Sequence, residues 1–231
     1  MDKYKTHPKF NKPMRTYWDS FEGSYQMGEQ KHRLYMLDLL RLKGVETLLD
    51  VGMGTAPIFD LIVNSKEDRW DNIRNYKGTD YSWAMVDIAK EMFPYGKFEM
   101  QDARNLKEVD NSWDCVLLMH ALDHLDDYQA AIKEATRVAR KYVCIILWRG
   151  FVNEGTNLNS RNEMGLTDEN GKLLPGKEPW EDTFLQEYSR EVLEEEFKKN
   201  NLTIDHIAEG EEINSDTSKY NFLYLLRKGE I

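Results

Sequence analysis

The sequence predicts an α/β protein: a doubly wound, mostly parallel sheet in three layers, helices on both faces, with an antiparallel last strand. Three observations predict it. From Val45 to Trp148, strand-sized apolar runs alternate with helix-length amphipathic stretches, the pattern of βαβ units. The first run ends in Gly52-Met53-Gly54, where the missing Cβ atoms let the backbone turn sharply into a helix. The last two runs, Leu202–Ala208 and Tyr220–Arg227, are joined by the acidic, non-periodic stretch Glu209–Lys219. Parallel neighbours need a crossover of about a dozen or more residues, usually helical, so these two strands are antiparallel.

The elements follow in order. Residues 1–28 form an arm and a short capping helix, where Tyr17, Trp18, Phe21 and Tyr25 fall near helical spacing. Residues 29–231 form the main domain. Gln30–Leu42 is amphipathic, with Tyr35, Leu39 and Leu42 at the three-to-four step of a helix, and Gly44 stands just past it as a stop signal. Strand Val45–Val51 precedes a helix from Ala56 to about Val63. Tyr76–Thr79 and Lys97–Gln101 are strands flanking a helix near Ser82–Met92. Strand Trp113–Met119, a helix near Asp127–Arg140 and strand Val143–Trp148 complete the alternation. Residues 149–188, rich in Asn, Gly and Pro, show little periodicity, as expected of an inserted lid or binding loop. A helix at Ser189–Asn200 follows, with Ser189 as N-cap and Val192, Leu193 and Phe197 as its buried stripe.

Composition bounds the function. Of 231 residues, 41 % are apolar, enough for a core and too many for a disordered chain. No run approaches the roughly 18 apolar residues of a membrane span, and the polar start carries no signal-peptide core, so a cytoplasmic protein is expected. Two cysteines, Cys115 and Cys144, both inside strands, exclude a disulfide scaffold and a zinc ribbon. The formal charge is −10, yet residues 1–16 carry an excess of +4, leaving −14 on the body. A body of that sign disfavours nucleic acid. The basic arm is either a solvated tail or a contact for an anionic partner.

The segment Leu48–Pro57 carries the most chemistry. A Gly-x-Gly turn at the carboxyl edge of the first strand lies where strand order reverses, the usual ligand crevice of open α/β sheets. Asp80 ends the second strand, at the spacing of an acid that receives ribose hydroxyls, and Asp102 ends the third. A dinucleotide fingerprint wants a third glycine and free amides for pyrophosphate. Here that position is Pro57, which has no N–H and suits the first turn of a helix. A phosphate-free sulfonium cofactor fits better than NAD.

These segments resemble the motifs of class I S-adenosylmethionine-dependent methyltransferases, in that family's order. Asp50-Val51-Gly52-Met53-Gly54 resembles the first motif and Gly78-Thr79-Asp80-Tyr81-Ser82-Trp83-Ala84-Met85 the second. Gln101-Asp102-Ala103 resembles the third, and Val116–Leu125 the fourth. The resemblance spans about residues 45–148. Ala56, where a third glycine is common, and Met53, where a smaller residue is frequent, depart from the pattern. The resemblance implies a Rossmann-like seven-stranded sheet with a reversed last strand. It also implies S-adenosyl-L-methionine as cofactor and S-adenosyl-L-homocysteine as product. Asp50, Gly52 and Gly54 would frame the methionine part, Asp80 the ribose, and Tyr81 and Met85 the adenine ring. Asp102, with the Ala103 backbone, would take the adenine amino group, and Met119 and His120 would border the methyl.

Methyl transfer is a displacement at an activated carbon, so the protein supplies position and electrostatics. A base is needed only where the nucleophile must lose a proton. His120 and His124 are the candidates, His120 favoured because it stands at the strand end; a structural role is the alternative for each. Arg149 is either a site for an acidic substrate group or an ion-pair partner of the lid. Tyr17, Trp18 and Tyr25 either close over the substrate or pack a helix on the sheet. The fourth motif lacks the Asn/Asp-Pro-Pro-aromatic loop used on flipped bases, and neither cysteine is placed as a nucleophile. Asp123, Asp126 and Asp127 stand where helix caps stand, and no metal is predicted. The expected activity is methylation of a small molecule at oxygen or nitrogen. The alternatives are a non-catalytic cofactor-binding protein of the same fold and an NAD-type oxidoreductase. Oligomeric state is not legible.

Overall fold

The computed structural model describes residues 30–65, 69–148, 151, 156–159, 185–213 and 221–229. Its helices are α1 (Lys31–Leu42), α2 (Pro57–Val63), α3 (Trp83–Met92), α4 (Tyr128–Val138) and α5 (Arg190–Lys199). Its strands are β1 (Thr47–Val51), β2 (Asn75–Asp80), β3 (Phe98–Met100), β4 (Trp113–Met119), β5 (Ala139–Leu147), β6 (Thr156–Asn159), β7 (Leu185–Tyr188), β8 (Leu202–Ala208) and β9 (Phe222–Lys228).

Seven strands form one sheet in the order β3-β2-β1-β4-β5-β9-β8. The pairs from β3 to β5 are all parallel. Strand β9 runs antiparallel to both β5 and β8, so the reversed strand lies one place in from the edge rather than at it. The chain order reverses at β1, which has β2 on one side and β4 on the other. Ligands bind at such a switch point, beyond the carboxyl ends of the strands.

Alternation on β4 divides the core in two. Cys115, Leu117 and Met119 pack with α1, α2 and α3 on one face, while Val116 and Leu118 pack with α4 and α5 on the other. Every residue of β4 is buried, as a central strand covered on both faces requires. Cys115 and Cys144 lie inside the first of these layers as free thiols, and burial pushes both thiols up.

The helix ends obey the chemistry of their residues. Gly44, at φ +65, closes α1 by donating its N–H to the Arg41 carbonyl. Ser82, Asp127 and Ser189 cap α3, α4 and α5 by accepting amides of Met85, Ala130 and Val192. Among the boundaries that depart from expectation, Asp114 explains the starts of β1 and β5. Its carboxylate accepts the amides of Glu46 and Thr47, which delays β1 until Thr47. It also lies 2.9 Å from Arg140 and 3.1 Å from Lys141. The basic pair that reads as a helix end is thereby drawn into the strand, and β5 starts at Ala139.

Thr156–Asn159 and Leu185–Tyr188 form an antiparallel pair, β6 with β7, which the lack of periodicity does not reveal. Tyr188 fastens it: its hydroxyl donates 2.7 Å to the Leu122 carbonyl, and its ring meets Tyr128 edge to face. Among the described residues no helix is long and apolar enough to cross a membrane.

Candidate active site

The turn after β1 is built on one carbonyl. Thr79 O, on the neighbouring strand, accepts both the Gly52 amide at 2.8 Å and the Met53 amide at 3.0 Å. The next amide, Gly54 N, donates 2.9 Å to Asp80 Oδ2, while Asp80 Oδ1 accepts from Ser82 N at 2.8 Å. Gly52 and Gly54 both have positive φ, +77 and +57, which side chains adopt at a cost. A Cβ on Gly52 would lie 2.5 Å from that of Ala121, so the turn and the segment after β4 touch. The Ala56 amide donates to Met53 O, and Ala56 itself is left-handed at φ 65, with Pro57 opening α2. Ala56 thus keeps the backbone conformation of the glycine it replaces. Met53 lies against Gly78, which has no side chain to obstruct it.

The amides of Gly52, Met53, Gly54 and Ala56 are therefore all spent on acceptors of the protein, and Pro57 has none. Asp80 adds a carboxylate beside them. This turn offers a pyrophosphate no cradle and a like charge. It suits a cationic, phosphate-free ligand whose hydroxyls reach the remaining lone pairs of Asp80.

Asp50 lies under the turn, fully buried. Its Oδ2 accepts from the Tyr76 hydroxyl at 2.6 Å, and its Oδ1 has no hydrogen-bond partner among the described residues. Burial raises its pKa to about 7, with Asp80 adding to the rise while Tyr76 and Arg33 oppose it. A buried carboxylate oxygen without a donor is costly, and an ammonium group is the partner it lacks. The methionine end of S-adenosylmethionine carries one, so the residues present fit that cofactor.

Further along the edge, Tyr81 is exposed and Met85 buried. Asp102 does not stand alone: Arg104 grips it with its guanidinium at 2.8 Å and its amide at 2.9 Å, and holds its carboxyl below the usual range. The same Arg104 reaches Asp126 at 2.8 Å. Asp126 is thus an ion-pair partner, and Asp123, buried, accepts the Trp148 amide. Of the three acids expected as caps, Asp127 is the one that caps α4. Ala103 packs against the second core layer, and Met119 is buried at the end of β4.

His120 follows Met119 in the left-handed region, at φ 54. Its Nε2 lies 2.8 Å from Asn221 Oδ1, and its amide donates to Ile146 O. Burial lowers its pKa to about 4, helped by Arg33 and His124 and opposed by Asn221. Its ring centroid is 5.2 Å from that of His32 in α1. His124 belongs to the helical turn after Ala121, whose carbonyl takes its amide. Tyr17, Trp18, Tyr25 and Arg149 lie outside the described residues. Sequence reasoning missed His32 and Arg33: both sit on the buried side of α1, and polar residues at core positions of an amphipathic helix were the available signal. Among the described residues no group of three or more His, Cys, Asp or Glu could hold a metal ion.

Residues 49–147 match the model of a family described as a methyltransferase domain. The chain is 31 % identical over 102 residues to the ubiquinone/menaquinone biosynthesis C-methyltransferase UbiE of Campylobacter jejuni, covering 44 % of this chain and 43 % of that one. It is 25 % identical over 113 residues to the demethylmenaquinone methyltransferase of Thermotoga maritima, covering 49 % and 47 %. The match thus spans less than half the length of these curated relatives. Among solved structures, the magnesium protoporphyrin IX methyltransferase of Synechocystis PCC 6803 with bound SAH shares the fold. Its TM-score is 0.56 at 17 % identity, over 86 % of this chain and 84 % of that one. Residues 49–147 thus match a methyltransferase domain, and the seven-stranded sheet around them shares the fold of a solved methyltransferase.

Proposed function

We propose that this protein transfers a methyl group from S-adenosylmethionine to a small molecule, at oxygen or nitrogen. The observation that carries the reading is the turn at Gly52–Pro57, where the amides of Gly52, Met53, Gly54 and Ala56 are consumed internally, that of Gly54 by the Asp80 carboxylate. The bound cofactor supplies a methyl group on a sulfonium, a carbon already activated for displacement. Asp50 receives its ammonium, Asp80 its ribose hydroxyls, and Asp102 with the Ala103 backbone its adenine edge, with Tyr81 and Met85 beside the ring. Met119 and His120 border the methyl. Residues 1–28 act as a cap and residues 149–188 as a lid, with Tyr17, Trp18, Tyr25 and Arg149 on the acceptor side. The acidic body supports a small acceptor over nucleic acid.

A second reading, transfer to carbon, is supported by the name of the Campylobacter relative. Calorimetry with S-adenosylmethionine and with NAD tests the cofactor: heat with the first and none with the second is expected. Binding of NAD alone would overturn the proposal. A search of a metabolite extract for a mass gain of about 14 daltons, one added CH2, tests turnover. The relevant gain from alignment alone is about 7–11 kcal/mol of barrier. A protein that binds the cofactor and gives no product would be a non-catalytic member of the fold.

A further inference from the structure

The first turn of α1 brings polar groups to the edge of the site that the cofactor roles leave unused. His32 is 6 % exposed and Arg33 7 %. His32 Nε2 is buried with no hydrogen-bond partner among the described residues, and its ring stands 5.2 Å from that of His120. The Nε2 of His120 is already committed to Asn221. His32 therefore holds the unsatisfied imidazole nitrogen beside the position assigned to the methyl. A buried polar atom left unpaired is costly, and a ligand that pairs with it recovers that cost.

We propose that His32 Nε2 is the hydrogen-bond acceptor for a hydroxyl of the methyl acceptor, so that the substrate class is a compound with a phenolic or enolic hydroxyl. The inference rests on the methyltransferase reading above and deepens it. The charges around His32 select the ligand. Arg33 lies next to it, with Asp50 as counter-charge, and His120 faces it. A substrate ammonium would bring a second cation beside the Arg33 guanidinium, whereas the electron-rich oxygen of a phenol or enol is favoured there. Burial, His120 and Arg33 lower the His32 pKa to about 3, so the ring is neutral at physiological pH and has a lone pair to offer. So weak a base orients a hydroxyl oxygen rather than stripping an alcohol of its proton, which again favours an acidic O–H. Trp148 is 42 % exposed, and its carbonyl accepts the amide of Asn221, the residue that holds His120. A phenol or enol is nucleophilic at oxygen and at the adjacent carbon, so the same contact serves either site of transfer.

The test uses the full chain, labelled with ¹⁵N-histidine and loaded with S-adenosylhomocysteine, with phenol as probe and anisole as its hydroxyl-free counterpart. Phenol is expected to move the His32 Nε2 resonance saturably, and anisole to leave it in place. In His32→Phe, which keeps the ring contact with His120, phenol binding should weaken at least tenfold while S-adenosylhomocysteine affinity stays the same. Equal shifts with both probes, or no shift with either, would overturn the assignment even if the variant fails to fold, since both are read on the wild type. No calorimetric response to S-adenosylhomocysteine would instead remove the methyltransferase reading, and this inference with it.

Discussion

His120 and Asn221 are joined side chain to side chain, Nε2 to Oδ1 at 2.8 Å, and both occupy the left-handed region, at φ 54 and 67. Two residues held in an uncommon conformation thus brace each other across β4 and β9. His120 is neutral because burial holds its pKa near 4, below the ordinary 6.5. The unfolded chain therefore binds the proton first, and this part of the stability is lost as pH falls from about 6.5 towards 4. Asn221→Asp keeps a residue tolerant of positive φ and places an anion on the imidazole. The His120 pKa should rise by about one to three pH units, read by histidine NMR titration, and the acid-side loss of stability should shrink. An unmoved pKa would show that residue 221 does not hold the ring.

Gly52→Ala should destabilise the fold for two separable reasons. The φ of +77 costs an L-residue about 1–2 kcal/mol, and the new methyl meets Ala121 at 2.5 Å. Ala121→Gly in the same chain removes the second reason and leaves the first. Urea melts of the single and double variants should therefore show a partial rescue, with about 1–2 kcal/mol remaining. Full rescue would mean that the backbone conformation is not strained, and no rescue would mean that the two residues do not touch.

The parts legible in the sequence are those where one residue acts locally. Ser82, Asp127 and Ser189 mark helix starts that follow from their own side chains, Gly44 marks a helix end through its positive φ, and β4 and β8 have the expected bounds. What is hidden depends on partners far along the chain. Asp114 sets the starts of β1 and β5 through residues 26 to 68 positions away. Arg104 and Asp126 meet across 22 positions, so Asp126 reads as a helix cap although it carries an ion pair. The pairing of His32 with His120 depends on how α1 lies over the sheet, which no spacing along α1 encodes. The turn at Gly52 is legible because glycine and proline state their backbone needs, whereas the capture of its amides by Thr79 and Asp80 is a property of the register between β1 and β2.

Asp80→Ala removes the acid expected at the ribose and also the acceptor that holds Gly54 N. Cofactor affinity should fall by about 1–3 kcal/mol, the scale of hydrogen bonds to a charged group. Asp80→Asn separates the two roles. Its carbonyl oxygen still accepts the Gly54 amide, so the turn keeps that bond, while the Ser82 amide loses its acceptor, the charge is gone and fewer lone pairs remain for hydroxyls. Calorimetry with S-adenosylhomocysteine should rank wild type above Asn and Asn above Ala. Equal affinity in all three would take Asp80 out of the ribose site.

Asp50 should make cofactor binding release a proton. In the free protein burial raises its pKa to about 7, against an ordinary 3.8. Its contribution to stability is therefore complete below about pH 3.8 and is lost as pH rises through about 7, because the buried group resists ionisation. An ammonium beside Oδ1 reverses that preference, since an opposite charge within hydrogen-bond reach favours the carboxylate. At about pH 6 the free protein holds the proton and the complex does not, so binding should liberate close to one proton. At about pH 8.5 the group is already ionised and the release should vanish. Calorimetry in two buffers of different ionisation enthalpy measures the count directly. Asp50→Asn should abolish the release, and should also flatten the loss of stability between about pH 3.8 and 7 in the unliganded protein. Release that persists unchanged in the variant would assign the proton to another group and leave Asp50 a structural partner of Tyr76.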